Sequence, residues 1–468
     1  MLGRNPSEPA LFQMVDVESL VPANHQLRKI DAVLDLSFVP EVVAECYSAN
    51  RGRPSIDPEL AVRMMLLGVL YDLSDRELCD EVQMHAGMRW FLGLNFHDPV
   101  PDHSTLSRLR NERWSESGLF ERLMDEVIRQ CSEAGLVSGR HLSVDGTEVR
   151  ADASVKSLTR RGPKGPDDRD PPEASGQGKG EPKPAGEWKG HGQRYTNETH
   201  FSPTDPDARL YRKGNQRGAR LSYLVHDLID TKSRVILRRK ASLATGTAER
   251  DTALDMLDEV LESRDELGLP KRPEILTGDA GYGATDLITE LMDRGIEPHV
   301  PLLADEAPEE VPKWKRRTFN LERQRARVRK VKEAQARNRV REIYGTRGYT
   351  VSRKLRIRSE HVFAEAKNEH GLRRARRRGR ERVDEQATLS AVVQNLKRLV
   401  TFRGRTDRGA AAASSGTRSL TGFQPPLAHL CLFLGHIPTT VVHFAFRICG
   451  LQYPEIRIPQ PVATPTPS

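Results

Sequence analysis

Apolar positions recur along this chain at two different periods, and the change of period separates its regions. Leu60, Ala61, Met64, Met65, Gly68 and Val69 fall at helical spacing, and Asp57-Pro58 before them supplies an N-cap and a first-turn proline. Ser74 and Glu77 form a capping box that opens a second helix, and DHSTLSRLR (102–110) opens a further one. From His141 the period shortens to two. Strands are predicted at His141–Asp145, Leu221–Ile229, Arg234–Arg238, Glu274–Asp279 and Pro298–Leu303. Amphipathic helices are predicted at Arg250–Glu266 and Ala284–Arg294, with a long helix from about Ser352. This order describes an α/β domain with a mixed sheet, preceded by an all-α region.

The pattern sets the expected boundaries: an extension at 1–54, a helical region at 55–137, the α/β domain at 138–403 and a tail at 404–468. Residues 158–207 are rich in Pro, Gly, Lys and Asp and almost free of branched apolar side chains, so they read as a flexible insertion. The stretch Ser419–Phe446 has no formally charged side chain. Its three His, Pro425-Pro426 and Pro438 argue against a spanning helix. The first residues carry charge and proline where a secretory signal needs an apolar run. Five scattered cysteines, without a Cys-x-x-Cys pair, suggest reduced thiols in a cytoplasmic protein and no membrane partner.

The 468 residues carry 73 Lys and Arg against 65 Asp and Glu, a net of +8. That modest total conceals a strong asymmetry. Between Lys313 and Arg382 stand 26 basic and 7 acidic residues, a net of +19, which leaves −11 for the rest of the chain. A block of this kind neutralises phosphates and releases counterions, so nucleic acid is the expected partner. The short helices of the N-terminal region, ending in one that bears Ser104, Thr105, Ser107, Arg108 and Arg110, suit a helix-turn-helix reader of DNA or, equally, a helical packing module.

Three carboxylates stand out. Asp145 and Asp279 are each predicted at the end of a strand beside a Gly-containing turn, the usual position of a site in an open α/β sheet. Glu360 lies in the basic helix. At about 100° per residue, Arg356, Phe363 and Lys367 fall within about 60° of it, so Phe363 can seat that face on the sheet. Glu365 and Glu369 fall on the opposite side and are expected to be solvated partners of nearby arginines. Three converging carboxylates suit hard divalent cations, two of which can activate an attacking oxygen and stabilise a leaving one at phosphorus.

The motifs HLSVDGTEVRADAS (141–154), LTGDAGYGATD (276–286) and RIRSEHVFAEAKNEHGLRRARRRG (356–379), closed by NLKRL (395–399), resemble those of the DDE transposases of bacterial insertion sequences. Residues 53–115 are similar to the helical domain that precedes the core in that family. The resemblance implies a ribonuclease H-like catalytic core and an N-terminal DNA-binding domain. It implies Asp145, Asp279 and Glu360 as catalytic metal ligands for two Mg²⁺ or Mn²⁺ ions. It also implies Arg356 and Lys367 as contacts to terminal phosphates, with Arg373, Arg374, Arg108 and Arg110 as further DNA-binding residues.

The implied activity is DNA nicking at terminal inverted repeats and strand transfer into target DNA, by a homodimer assembled on the DNA and nucleoid-associated when bound. An endonuclease that cuts without joining, or a repressor derived from a transposase, are the alternatives. The tyrosine that often stands three residues before the arginine of the third motif is Arg353 here, and Tyr349 is too early to replace it.

Overall fold

The computed structural model describes residues 16–48, 55–161, 195–212, 218–303, 310–314 and 320–417, with side chains as far as residue 406. Residues 1–405 belong to one compact unit. Of the second unit, which begins at Thr406, only a helical backbone as far as Thr417 is described. The charge-free stretch 419–446 lies outside the described residues.

Helices α1 (Val17–Leu20), α2 (Gln26–Asp31), α3 (Val39–Val43), α4 (Pro58–Leu70), α5 (Asp75–Met84), α6 (Ala86–Phe91), α7 (His103–Arg108) and α8 (Leu119–Glu133) build the N-terminal part. The local signals act as expected. Asp57 accepts from the Glu59 N–H at the start of α4, and Ser74 and Glu77 make both bonds of the capping box of α5. Residues 16–48 are not a separate extension: Leu27, Ile30, Val39 and Val43 share one apolar core with Met64, Leu67, Leu123 and Val127. That core continues into Leu142, Val144 and Leu276 of the sheet, so no seam marks the expected boundary at 137/138 either. Each fully buried side chain of this kind contributes about 1.5–3 kcal/mol.

The strands are β1 (His141–Arg150), β2 (Thr159–Arg160), β3 (His200–Phe201), β4 (Arg209–Tyr211), β5 (Arg220–Asp230), β6 (Ile236–Leu243), β7 (Ile275–Thr277) and β8 (Glu297–His299). The main sheet runs β6-β5-β1-β7-β8, with β4 beside β6 on the outer edge of β5. β5 runs antiparallel to both of its neighbours β1 and β6, whereas β7 and β8 run parallel to β1. This mixed order is ribonuclease H-like, as the sequence motifs imply. β2 pairs with β3, and Tyr223 Oη donates to Asp205 Oδ1 at 2.5 Å, so both ends of the expected insertion 158–207 are tied to the fold. Residues 162–194 lie outside the described residues.

The remaining helices are α9 (Ala248–Glu262), α10 (Thr285–Asp293), α11 (Leu321–Tyr344), α12 (Arg347–Leu355), α13 (Ile357–Glu369) and α14 (Arg380–Thr417). The single long helix expected from Ser352 is thus three, broken at Arg356 and again at the glycine-containing turn after His370. The NLKRL motif has a structural use. Asn395 is fully buried, accepts from the Ile236 N–H at 2.9 Å and donates to its carbonyl at 2.8 Å, clamping α14 to the edge strand β6.

Candidate active site

β1 and β7 pair in the register His141↔Ile275, Leu142↔Leu276 and Ser143↔Thr277. Asp145 and Asp279 each follow two residues after the last of these pairs. Asp145 does not end its strand, as the sequence suggested: β1 continues to Arg150 against β5. What ends is β7, after Thr277, where Asp279 turns to cap a short 3-10 turn by accepting from the Gly281 N–H at 2.8 Å. The edge of β1 beside Asp145 is left open by that departure.

Helix α13 lies along β1 in matched register. Ser359 Oγ meets Ser143 Oγ at 2.9 Å, and eight residues later Lys367 Nζ donates to Thr147 Oγ1 at 2.7 Å. Eight helical residues advance about 12 Å and four strand residues about 13 Å, so the two elements keep step. Ser143, Asp145 and Thr147 share one face of the strand, which sets Asp145 midway along this contact. Ser359, Val362, Phe363 and Ala366 form the buried stripe of α13. Glu360 lies on one margin of that stripe, 55% exposed, with Arg356 at 3.5 Å.

Charge in this notch is not balanced from within. Burial pushes the Asp145 carboxyl up to about 7, with the charges of Asp279 and Asp227 adding to the effect; the Gly146 N–H and Arg356 act against it. Among the described residues neither Asp145 nor Asp279 has an ion-pair partner within 4 Å. Asp227, directly opposite Asp145 on β5, is fully buried and fully answered: Arg239 grips it through Nε and Nη2 at 2.5 and 2.6 Å. Arg239 lies in turn over the Phe363 ring, 5.7 Å from its centroid.

The space fits a cation. A Cβ on Gly281 would come within 3.0 Å of both Asp279 Oδ1 and Glu249 Oε2, so the glycine keeps a gap open between two carboxylate oxygens. Among the described residues, the Tyr282 hydroxyl and Nδ1 of His226 are buried with no hydrogen-bond partner. Both flank Gly146, whose Cβ would come within 3.5 and 3.1 Å of them respectively. Burial raises the Tyr282 hydroxyl well above its usual range, and Glu249, Asp145 and Asp279 add to the shift. Carboxylate oxygens on either side of the Gly281 gap, with Asp145 and Asp279 unpaired with cations among the described residues, are of the chemical kind that a hard divalent ion takes. Glu249 and the neutralising Arg239 carry no sequence motif by which they could be singled out, whereas Tyr282 stands within LTGDAGYGATD (276–286). Only the approach of α9 to the turn after β7 distinguishes Glu249 from the other acids of its helix.

On the opposite margin of α13 the expectation fails. Glu365 is not a solvated partner of surface arginines: it is 22% exposed and takes Lys397 at 2.8 Å, Arg398 at 3.1 Å and Gln394 Nε2 at 3.0 Å. Burial opposes its ionisation. The nearby His370 ring, 3.7 Å away, and the charges of Arg398 and Lys397 outweigh burial and hold the carboxyl well below the usual range. Glu365, Glu369 and His370 come close enough to bracket an ion, but Lys397 already sits among them, 2.6 Å from Glu369 and 3.3 Å from His370 Nε2.

The expected DNA contacts divide in the same way. Arg108, Arg373 and Arg374 are exposed. Arg110 is not: it is only 8% exposed and ion-pairs with Asp75 of α5, because Leu106 and Leu109 turn that side of α7 into the core. Lys367 also donates to the Glu148 carbonyl at 2.7 Å, so its ammonium pins α13 to β1. In the arginine-rich turn, Arg376 pairs with Asp72, Arg377 with Glu385 at 2.6 Å, and Arg374 and Arg378 with Asp152 at 2.7 and 3.3 Å. Tyr349 is buried against Tyr344 and His299, away from solvent.

Two family models match in tandem. Residues 15–112 match a transposase domain (DUF772), and residues 138–396, more than half of the chain, match the transposase DDE domain. Among solved structures, the Mos1 transposase paired-end complex with left transposon end is similar at 12% identity over 63% of this chain and 80% of that one, with a TM-score of 0.16. The Mos1 mariner paired end complex with Mn is similar at 14% identity over 68% and 82%, with a TM-score of 0.18. At such scores the likeness adds nothing to the sheet order and strand directions, which carry the fold assignment themselves. With the DDE model spanning the sheet, both aspartates and the α13 glutamate, the chain belongs to the DDE transposase family.

Proposed function

We propose that Asp145, Asp279 and Glu360 hold two Mg²⁺ or Mn²⁺ ions for cleavage at terminal inverted repeats and strand transfer into target DNA. The observation that carries this reading is the pair of carboxylates on β1 and in the turn just after β7, Asp145 partly buried and neither paired with a cation among the described residues. When bound, such ions would activate the attacking oxygen and stabilise the leaving one. The chain's own residues prepare that event. The Gly146 and Gly281 N–H groups orient the two aspartates, and Lys367 and the Ser143–Ser359 bond hold α13 against β1, from which Glu360 would complete the set. Arg356, beside Glu360, would meet a phosphate entering the notch.

Exposed Arg373, Arg374 and Arg108 would extend the phosphate track. The helical region would read the repeat, and two copies of the chain would bring two ends together, in the bacterial cytoplasm on nucleoid DNA. The basic face of α11 would add a further cationic surface, since Arg323, Arg325 and Lys330 are exposed. The test is an assay with the element's own flanking ends in Mg²⁺. Labelled 3′ ends should appear in a target duplex with the wild type and be absent with Asp145→Ala, Asp279→Ala and Glu360→Ala, all three still binding DNA. Joining at wild-type level by any of these variants would remove that residue from the assignment.

A further inference from the structure

In the proposed site Glu360 comes from α13, and a second helix approaches the turn that carries Asp279. The first turn of α9 places Glu249 beside the turn that follows β7. The point at which a Cβ would leave Gly281 is 3.0 Å from Asp279 Oδ1 and 3.0 Å from Glu249 Oε2, so these oxygens are at most about 6 Å apart. One hydrated divalent ion, with oxygen ligands at about 2.0–2.6 Å, spans such a separation directly or through one of its waters. A methyl group at 281 would obstruct it, and glycine stands there.

We infer that Glu249 is a fourth oxygen ligand of the divalent cation seated at Asp279, in contact with the ion or with a water bound to it. This rests on the reading of Asp145 and Asp279 as metal-holding residues. A second observation points to the same ligand. The buried hydroxyl of Tyr282 has no hydrogen-bond partner among the described residues, and the carboxylates that act on it are Glu249, Asp145, Asp279 and Asp227. A donor stranded among acids is satisfied by the water of a hydrated ion rather than by the protein.

The experiment is a Mn²⁺ titration of the full-length, DNA-free chain followed by electron paramagnetic resonance, in which bound ion loses the free-ion signal. Glu249→Gln should weaken Mn²⁺ binding about tenfold, the scale of losing a supporting ligand. Gly281→Ala should weaken it similarly with Glu249 intact. Glu262→Gln, on an exposed position of the same helix, should bind as the wild type. Metal-free melting temperatures verify that each variant is folded, and if Glu249→Gln is not, Gly281→Ala decides. Wild-type affinity in Glu249→Gln or Gly281→Ala, with binding lost in Asp279→Asn, overturns the role of Glu249 alone. Wild-type affinity in both Asp145→Asn and Asp279→Asn overturns the metal assignment beneath it.

Discussion

The two margins of α13 carry acids of the same kind in opposite circumstances. On one side Glu360 is exposed beside Arg356, and on the neighbouring strand burial raises the Asp145 carboxyl to about 7, with the charges of Asp279 and Asp227 adding to the effect. On the other side, Glu365 and Glu369 meet Lys397 and Arg398 of α14, and the Glu365 carboxyl is held far down. In the first, Asp145 and Asp279 have no ion-pair partner among the described residues; the second supplies its own cations and fastens α13 to α14.

The largest expected effect separates the two by activity. Asp145→Ala should lower DNA cleavage at least about a thousandfold with DNA binding retained, since only the transition state loses an interaction. A band-shift and a cleavage assay on one preparation check it.

Next is stability on the closed margin. Glu365→Ala should cost roughly 2–4 kcal/mol in urea unfolding, somewhat less than a fully buried pair, because Lys397 and Arg398 would lose their partner in a half-buried site. Its pH dependence has a definite sign. A carboxyl held below its unfolded value of about 4.3 adds stability that is complete above that pH and is lost as the pH falls further. Between about pH 4.5 and 3, therefore, the wild type should lose stability more steeply than Glu365→Gln.

A smaller effect compares basic regions. Arg323, Arg325 and Lys330 are exposed, whereas Arg376 and Arg377 are engaged with Asp72 and Glu385. Replacing the three residues of α11 by Ala should weaken DNA binding and reduce the salt slope by about 0.9 for each phosphate that is no longer neutralised. Arg377→Ala should change the slope little and lower the melting temperature instead. The smallest effect inverts the first. In metal-free buffer at about pH 8, Asp145→Asn should raise the melting temperature by about 1–3 °C, because it removes an unanswered buried charge. A fall on calorimetry would mean that the notch is compensated after all.

Much of the fold is legible along the chain because the signals are local. Asp57-Pro58 and the Ser74–Glu77 box start helices by themselves, and alternation predicts β1, β5 and β7 near their observed positions. The helical face that groups Arg356, Glu360, Phe363 and Lys367 follows from 3.6 residues per turn. Glu365 departs from its expected exposure because its environment comes from α14, some thirty residues away in sequence, which no periodicity reports. Arg110 departs likewise. It stands in a segment of hydroxyls and arginines, but Leu106, Leu109 and Asp75 turn it inward. The excess of positive charge in residues 313–382 is real, yet part of it neutralises the protein's own acids.

Sequence alone determined which residues are candidates for the chemistry, since carboxylates in three motifs and a +19 segment are properties of the chain. Tertiary structure decided which of those charges remain available. An ionised side chain buried near an opposite charge is spent, and one buried among like charges is poised for an ion. That difference depends on distances of a few ångströms between segments remote in sequence, and it is settled only when β1, the turn after β7, α9 and α13 meet at one edge of the sheet.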